Sequence, residues 1–393
     1  MTTGLHNSTP LRRLADCWDH LRVPLNAEER HYRPGDVPYW GANSIQGHVD
    51  TPLVSEEVVL VGEDGAPFFD RDRPVAFRVA EPIWPNNHIH VLKPRKRVDA
   101  RWLAYALNDV DYSMYVIGST RDKLTQSALM RILLPTTGVD KQRAIADFLD
   151  RETARIDTLI EEQKRLIELL RERRAATITA ATEKGALVTF GRVVTRIRQG
   201  TSPNCEAWPG DGVIDWAVLK VGCSNTGRFR PSQNKRLPDG SAPIAKDAVH
   251  RGEIVMSRAN TRELVGCAAV VQGNYPRLLL SDLTYGITVG RDVDPQYVAY
   301  SLASSRARWA IAGMAKGSSP SMQKISQRDV RDVLVHIPPL QEQRRVVALL
   351  DDQTAKIDSL IAETEKFIEL SRERRSALIA AAVTGQIDVR ESA

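Results

Sequence analysis

One segment of this chain occurs twice. Residues 142–174, QRAIADFLDRETARIDTLIEEQKRLIELLRERR, return as residues 343–375, QRRVVALLDDQTAKIDSLIAETEKFIELSRERR, and 18 of the 33 positions are identical without a gap. Agreement at that level, over charged as well as apolar positions, marks an internal duplication. Each copy reads as a long helix, because Leu149, Ile156, Leu159, Ile160, Leu166, Ile167 and Leu170 fall on one stripe at helical or heptad spacing. The second copy repeats the stripe with Leu350, Ile357, Leu360, Ile361, Phe367 and Ile368. Neither copy contains Gly or Pro from its opening Gln to Ala181 or Ala382, and Pro338 and Pro339 stand before the second as a start signal. Some 40 residues at about 1.5 Å each make a rod of roughly 60 Å. A rod with a single apolar stripe is unstable alone in water, so the copies are expected to pair as a coiled coil. The pairing residues would be Leu149, Ile156, Leu159, Ile160 and Ile167 with Leu350, Ile357, Leu360, Ile361 and Ile368. Antiparallel pairing follows from the need for the chain to return between them. The competing packing, two helices buried separately in a larger core, fits poorly with the charged residues on their remaining faces.

The duplication extends upstream in patches. VDARWLAYAL at residues 98–107 matches VDPQYVAYSL at 293–302, and GSTRDKL at 118–124 has a counterpart in GSSPSMQKI at 317–325. Between these patches the halves differ almost completely. The chain therefore divides into a globule over residues 1–140, a helix over 141–184, a second globule over 185–340, a second helix over 341–385 and a tail over 386–393. The fold class is α+β: two similar mixed modules joined by two long antiparallel helices, with internal pseudo-two-fold symmetry. Within the globules, EEVVLV at 56–61, EIVM at 253–256 and AAVVQ at 268–272 read as short strands before turn residues. Phe77, Val79, His88, His90 and Leu92 suggest a further strand pair around Pro82 and Pro85.

Chemistry is sparse. No G-x-x-x-x-G-K-[ST] loop is present; GMAKGS at 313–318 has its glycines one residue too close and no Lys after the second. The Gly-rich turn and [DNS]-P-P-[YF] tetrapeptide of amino-methyltransferases are absent, as is a G-x-S-x-G elbow. Glu162-x-Lys164 resembles the end of a metal-nuclease motif but sits mid-helix among other charges, the usual setting of a solvated face. His88 and His90 could share a strand face, yet no further ligand follows at zinc spacing, so no metal site is expected. The four cysteines are scattered without a C-x-x-C pair, which removes a zinc ribbon and a disulfide framework. No apolar h-region follows Met1 and no apolar run is long enough to span a bilayer, so the expectation is a cytoplasmic protein with no membrane partner. The net charge of +5, from 54 Lys and Arg against 49 Asp and Glu, permits mild attraction to nucleic acid without demanding it.

Polar and basic loops remain. Asn43, Ser44 and Gln46 in GANSIQG, Arg121 and Lys123, Lys220, Arg258, Asn260 and Arg262 in SRANTRE, and Ser318, Ser319 and Lys324 have side chains suited to base edges or phosphates. Any one of these loops is as well explained by solvation. Together, two such modules on a rigid spacer suggest a reader of a bipartite DNA site, since a rod of roughly 60 Å spans one to two turns of about 34 to 36 Å.

Two variable regions alternating with two near-identical helices resemble the specificity subunits of type I restriction-modification systems. The likeness rests on PPLQEQRRVVALLD from Pro338, IDSLI, and ELSRERRSALIAAAVTGQIDV ending at Val389, and it spans essentially the whole chain. The first copy departs from the pattern, reading LPTTGVDKQ over 134–142 without the Pro-Pro, which loosens the start of the first helix. The resemblance implies a noncatalytic subunit with two target recognition domains, each reading half of an asymmetric, interrupted site on double-stranded DNA. The helices would set the unread spacer and dock two modification subunits that bring S-adenosylmethionine. Restriction subunits would bring ATP- and Mg2+-dependent cleavage, leaving no cofactor on this chain. Two rival classes are a self-contained DNA-modifying or DNA-cleaving enzyme, which would turn over alone with Mg2+ or S-adenosylmethionine, and a coiled-coil scaffold that binds only proteins.

Overall fold

The computed structural model describes residues 8–117, 122–241, 243–317, 319, 322–387 and 389. Contacts divide the chain into two units, Met1–Lys164 with Glu365–Ala393, and Arg165–Thr364. The first unit runs through β1 (Ser8–Pro10), β2 (Ala15–Cys17), α1 (Ala27–His31), β3 (Val37–Trp40), β4 (Ile45–Val49), β5 (Val58–Gly62), β6 (Ala76–Val79), β7 (Trp84–Pro85) and β8 (Ile89–Pro94). It continues with α2 (Ala100–Asn108), β9 (Val116–Ile117), β10 (Lys123–Leu124), α3 (Gln126–Leu129) and β11 (Leu133–Pro135) into the long helix α4 (Val139–Thr182). The second unit holds β12 (Ala186–Thr189), β13 (Val194–Gln199), β14 (Ala217–Leu219), β15 (Asn234–Arg236), β16 (Ile254–Ser257), β17 (Ala259–Asn260), β18 (Ala268–Val270), β19 (Leu278–Leu279) and β20 (Thr284–Val289). After it come α5 (Pro295–Ala303), α6 (Ser305–Met314), β21 (Gln323–Lys324), α7 (Gln327–Asp332), β22 (Leu334–Ile337) and the long helix α8 (Leu340–Val383).

The two units have one topology. A four-stranded sheet runs β2-β8-β5-β6 in the first and β13-β20-β16-β18 in the second; a three-stranded sheet runs β4-β3-β7 and β15-β14-β19, with a parallel β3–β7 or β14–β19 pair. The first and last strands of each globule pair, β1 with β11 and β12 with β22. The central strand explains why the sequences can differ. In β5, Val59 and Val61 face a core built with Leu92 of β8 and with Trp102, Leu103 and Leu107 of α2, whereas Val58 and Leu60 face Trp40 of the three-stranded sheet. In β16, Ile254 and Met256 face Val298 and Leu302 of α5, and Val255 faces Leu219 and Leu278. Both faces of the strand are covered, so an unbroken apolar run is required but its members are interchangeable.

The long helices differ slightly from the sequence reading: α4 covers Val139–Thr182 rather than 141–184, and α8 covers Leu340–Val383 rather than 341–385. The second stops at a Schellman turn, in which Gln386 N–H donates to the Ala381 carbonyl and Gly385 N–H to that of Ala382, with Gly385 at φ 72°. Their pairing is antiparallel in each unit. In the first, Leu149 shares a core with Ile379 while Asp157 pairs with Arg375 at 2.9 Å, so going forward along α4 goes backward along α8. In the second, Arg174 pairs with Asp358 at 2.9 Å and Ile178 shares a core with Leu350. Buried positions Ile156, Ile160, Ile167 and Leu170 of α4, and Ile357, Thr364, Ile368 and Ser371 of α8, follow the three-four spacing of a coiled-coil seam. Of the expected pairing residues, Leu149, Ile156, Ile160, Ile167, Leu350, Ile357 and Ile368 are buried and Leu159 and Ile361 half-buried. Leu360 is corrected: it is 49% exposed, because the seam steps from Ile357 to Ile361 and leaves it on the flank.

Of the upstream patches that share sequence, residues 98–107 and 293–302 meet the helices. Gln142, at the start of α4, accepts from the Asp99 amide (2.9 Å) and donates to the Thr137 carbonyl (2.8 Å); Asp99 in turn caps α2. Gln343 accepts from the Asp294 amide (2.8 Å) and donates to the Pro338 carbonyl (2.8 Å), and Asp294 caps α5. One helical level on, the Tyr105 hydroxyl donates to Asp150 (2.9 Å) and the Tyr300 hydroxyl to Asp351 (2.7 Å). Each globule is thus bolted to its helix in the same way, by a Gln side chain on the backbone amide of a capping Asp and by a Tyr hydroxyl on a helix carboxylate.

Candidate nucleic-acid interface

In the first unit the β3–β4 connection is a tight hairpin closed by Gly41 N–H to the Ser44 carbonyl at 2.8 Å. It presents Ser44 and Gln46 to solvent, with the Gln46 amide donating to the Ser44 hydroxyl at 2.8 Å, and leaves Asn43 half-buried. Asn43 and Gln46 line an open groove of about 670 Å³ together with Arg30, Asn86, Asn87 and His88. Lys123 reaches the same region from β10: it bridges to Asp64, a lining residue, and its ammonium lies 3.1 Å from Glu63. Burial alone would raise the Glu63 carboxyl, but hydrogen bonds from Arg22 and Lys123 hold it below the usual carboxylate range. Arg121 lies outside the described residues. Asn43 and Gln46 therefore share one groove, and the backbone of Lys123 pairs with its lining residue Asp64.

The second unit builds the equivalent region from longer pieces. Lys220 follows β14 as Gly41 follows β3, and its N–H closes a longer loop on the Gln233 carbonyl at 2.9 Å. Within that loop Asn225 accepts from the Asn260 amide at 3.1 Å, tying it to β17. Strand β17 pairs with β21, placing Ala259 against Lys324 and Asn260 against Gln323. Lys324 is exposed beside Lys316, whose backbone exchanges two hydrogen bonds with it. Arg262 is exposed and lines a shallow groove with Glu263, Gly313 and Gln323. The Arg258 guanidinium is partly buried and spent on the Asp282 carbonyl at 3.0 Å, so it supports the loop. The Ser319 carbonyl accepts from Gln323 at 2.7 Å, and Ser318 lies outside the described residues.

The two sets of loops occupy corresponding places. Leu124 N–H donates to the Glu63 carbonyl and Ile325 N–H to the Arg258 carbonyl, and the bridges Asp64–Lys123 and Ala259–Lys324 lie next to these bonds. Lys123 and Lys324 are thus counterparts. Reading loops outward finds neither Lys316, Gln323 and Asn225 nor Arg30, Asn86 and Asn87, since only strand pairing brings them in. His88 and His90 each meet a carboxylate, Asp64 and Asp19, at 2.7 Å. Among the described residues no group of three or more His, Cys, Asp or Glu is arranged to hold a metal ion, and no helix is long and apolar enough to cross a membrane.

Residues 22–169 match the sequence model of the type I restriction modification DNA specificity domain. The chain is 25% identical to a putative type I restriction enzyme specificity subunit, S.HindORF215P, of Haemophilus influenzae, over 93% of this chain and 92% of that one. It is 21% identical to the specificity subunit of the EcoKI type I restriction enzyme of Escherichia coli, over 76% and 68%. Among solved structures, a chain from work described as the basis of complex assembly and conformational transition of the type I R-M system superposes with a TM-score of 0.67 at 15% identity, covering 97% of this chain and 98% of that one.

Proposed function

We propose that the chain belongs to the family of type I restriction-modification specificity subunits, which its match over residues 22–169 and its likeness along 93% of its length support, and that it is the noncatalytic, sequence-reading subunit of such a complex, working in the cytoplasm on double-stranded DNA. Each globule reads one half of a bipartite, asymmetric site. The observation that carries this reading is the repetition of one strand order with unlike side chains on the equivalent loops: amides and Lys123 in the first unit, Arg262, Lys316 and Lys324 in the second. Equal scaffolds would present their loops to duplex DNA alike, and unlike side chains would select different bases. The paired helices set the spacer and dock two modification subunits, which bring S-adenosylmethionine for adenine methylation. Restriction subunits bring ATP- and Mg2+-dependent cleavage. The modest net charge fits a component that shares the phosphate contacts with its partners.

Mapping of methylated adenines in DNA modified by the reconstituted complex tests the reading. The expected result is two unlike half-sites separated by a fixed run of unread bases. A palindrome, a continuous motif or methylation without sequence preference would refute it.

A further inference from the structure

His90 sits in β8, the strand that adjoins both β2 and β5, 1% exposed, with both ring nitrogens engaged. Nδ1 lies 2.7 Å from the Asp19 carboxylate and Nε2 lies 2.8 Å from the Leu124 carbonyl. Asp19 also accepts from the Val91 amide at 3.0 Å and stands 3.3 Å from Arg22. Burial works to raise the Asp19 carboxyl, yet the hydrogen bond and charge of His90, the Val91 amide and Arg22 hold it low, so it faces the ring as an acceptor. A carbonyl can only accept. Two acceptors on two ring nitrogens require a proton on each. The other charged groups turned toward the ring are Glu63 at 4.0 Å, itself paired with Arg22 and Lys123, and these two cations.

The second unit makes the same bond with a different residue. His90 pairs with Val61 across the sheet, two residues before Glu63, and Tyr285 pairs with Met256, two residues before Arg258. The carbonyls of Glu63 and Arg258 accept from Leu124 and Ile325. The Tyr285 hydroxyl donates to the Ile325 carbonyl at 3.1 Å, as His90 does to that of Leu124. In both units one buried side chain of the central sheet reaches out to hold the strand that carries Lys123 or Lys324.

We infer that His90 is the positioning residue of the first unit's β10 loop, holding it as a doubly protonated ring, and that Tyr285 holds the β21 loop as a neutral hydroxyl. This rests on the reading of the units as half-site readers. Burial pushes the Tyr285 phenol up, which keeps it a donor throughout.

The test uses the complex with its modification subunits, comparing methylation of duplexes carrying single base changes in either half-site. His90→Asn places its amide nitrogen near Nδ1 and loses the Leu124 bond; His90→Gln places it near Nε2 and keeps that bond. The asparagine variant is expected to lose about five- to tenfold in discrimination at one half-site only, and the glutamine variant to stay within about twofold of wild type. Tyr285→Phe, which removes one oxygen, should relax the opposite half-site. Equal behaviour of the asparagine and glutamine variants, or loss at both half-sites together, overturns the inference. Should both His90 variants fail to assemble, Tyr285→Phe decides it: relaxation at one half-site alone supports the shared device, and no change or relaxation at both overturns it. A wild type with no base preference would instead sink the half-site reading beneath it.

Discussion

The bolt between the second globule and its helix offers a sharp test of why the two halves share the sequence they do. Gln343 is fully buried; one end of its amide accepts from Asp294 N–H at 2.8 Å, and the other donates to the Pro338 carbonyl at 2.8 Å and to the Asp292 carbonyl at 3.3 Å. Gln343→Leu keeps the side-chain volume nearly unchanged and removes both ends. The Asp294 amide and the Pro338 carbonyl then lose these partners inside the protein. Each buried group left without a partner costs about 1–3 kcal/mol, so the pair costs about 4 kcal/mol at mid-range. For a unit of 200 residues, Arg165–Thr364, 1 kcal/mol corresponds to about 2–4 °C, and the melting midpoint should fall by about 10 °C. Gln343→Glu should be no better, because the carboxylate keeps the acceptor for Asp294 but turns an oxygen toward two carbonyls. Thermal unfolding followed by circular dichroism reads the midpoint, and hydrogen exchange at the Asp294 amide reads the bond itself. A Gln343→Leu protein melting within about 2 °C of wild type, with that amide still protected, would refute the reasoning.

Ile357→Asp puts a carboxylate at a buried seam position; the several kcal/mol needed to bury it should open the helix pair and abolish co-purification with the modification subunits, and unchanged recovery of those subunits would contradict this. Lengthening α4 and α8 together by about seven residues each, one heptad, should widen the methylated site's spacer and leave both half-sites intact; altered half-site bases would mean that the helices are not the ruler. Asp19 and Glu63 have carboxyls held below their ordinary range despite burial, by His90 and by Arg22 with Lys123. Since the unfolded chain binds their protons more tightly, their stabilisation is complete above the ordinary carboxylate range and is lost as pH falls through the folded values. The first unit should therefore melt progressively lower as the solution is acidified below about pH 5, whereas Asp19→Asn combined with Glu63→Gln should flatten that fall.

The helices were legible because a seam imposes spacing, and the spacing of Ile156, Ile160 and Ile167 shows in one dimension. The misplaced stripe residues Leu166, Leu360 and Phe367 were apolar and adjacent to the seam; only the partner helix decides between them and Ile167, Ile361 and Ile368. That the globules are similar modules was legible from the flanking repeat, but their common strand order was not, since VVLVG in β5 and IVMS in β16 satisfy the same buried strand with different side chains. The loops could be picked for their polarity, but their convergence depends on pairings such as Ala259 with Lys324, distant in sequence. His90 showed only as a residue of a strand, and its partner is the Leu124 carbonyl, a group that every residue carries.

These contrasts have one cause. Packing between apolar side chains is not directional, so a core accepts any set of about the right volume and pattern. A buried amide or carboxylate must meet its partner within a few tenths of an ångström and at the right angle. Tyr105 with Asp150 recurs as Tyr300 with Asp351 and Gln142 recurs as Gln343 because each is held by such a bond, and Asp99 recurs as Asp294 because its carboxylate caps the following helix. Nothing comparable ties the reading loops of one unit to those of the other. Sequence identity over 98–107 with 293–302 and 142–174 with 343–375 therefore marks where polar geometry joins globule to helix, and outside the short patch shared by 118–124 and 317–325 the matching loops differ where the two units would choose different bases.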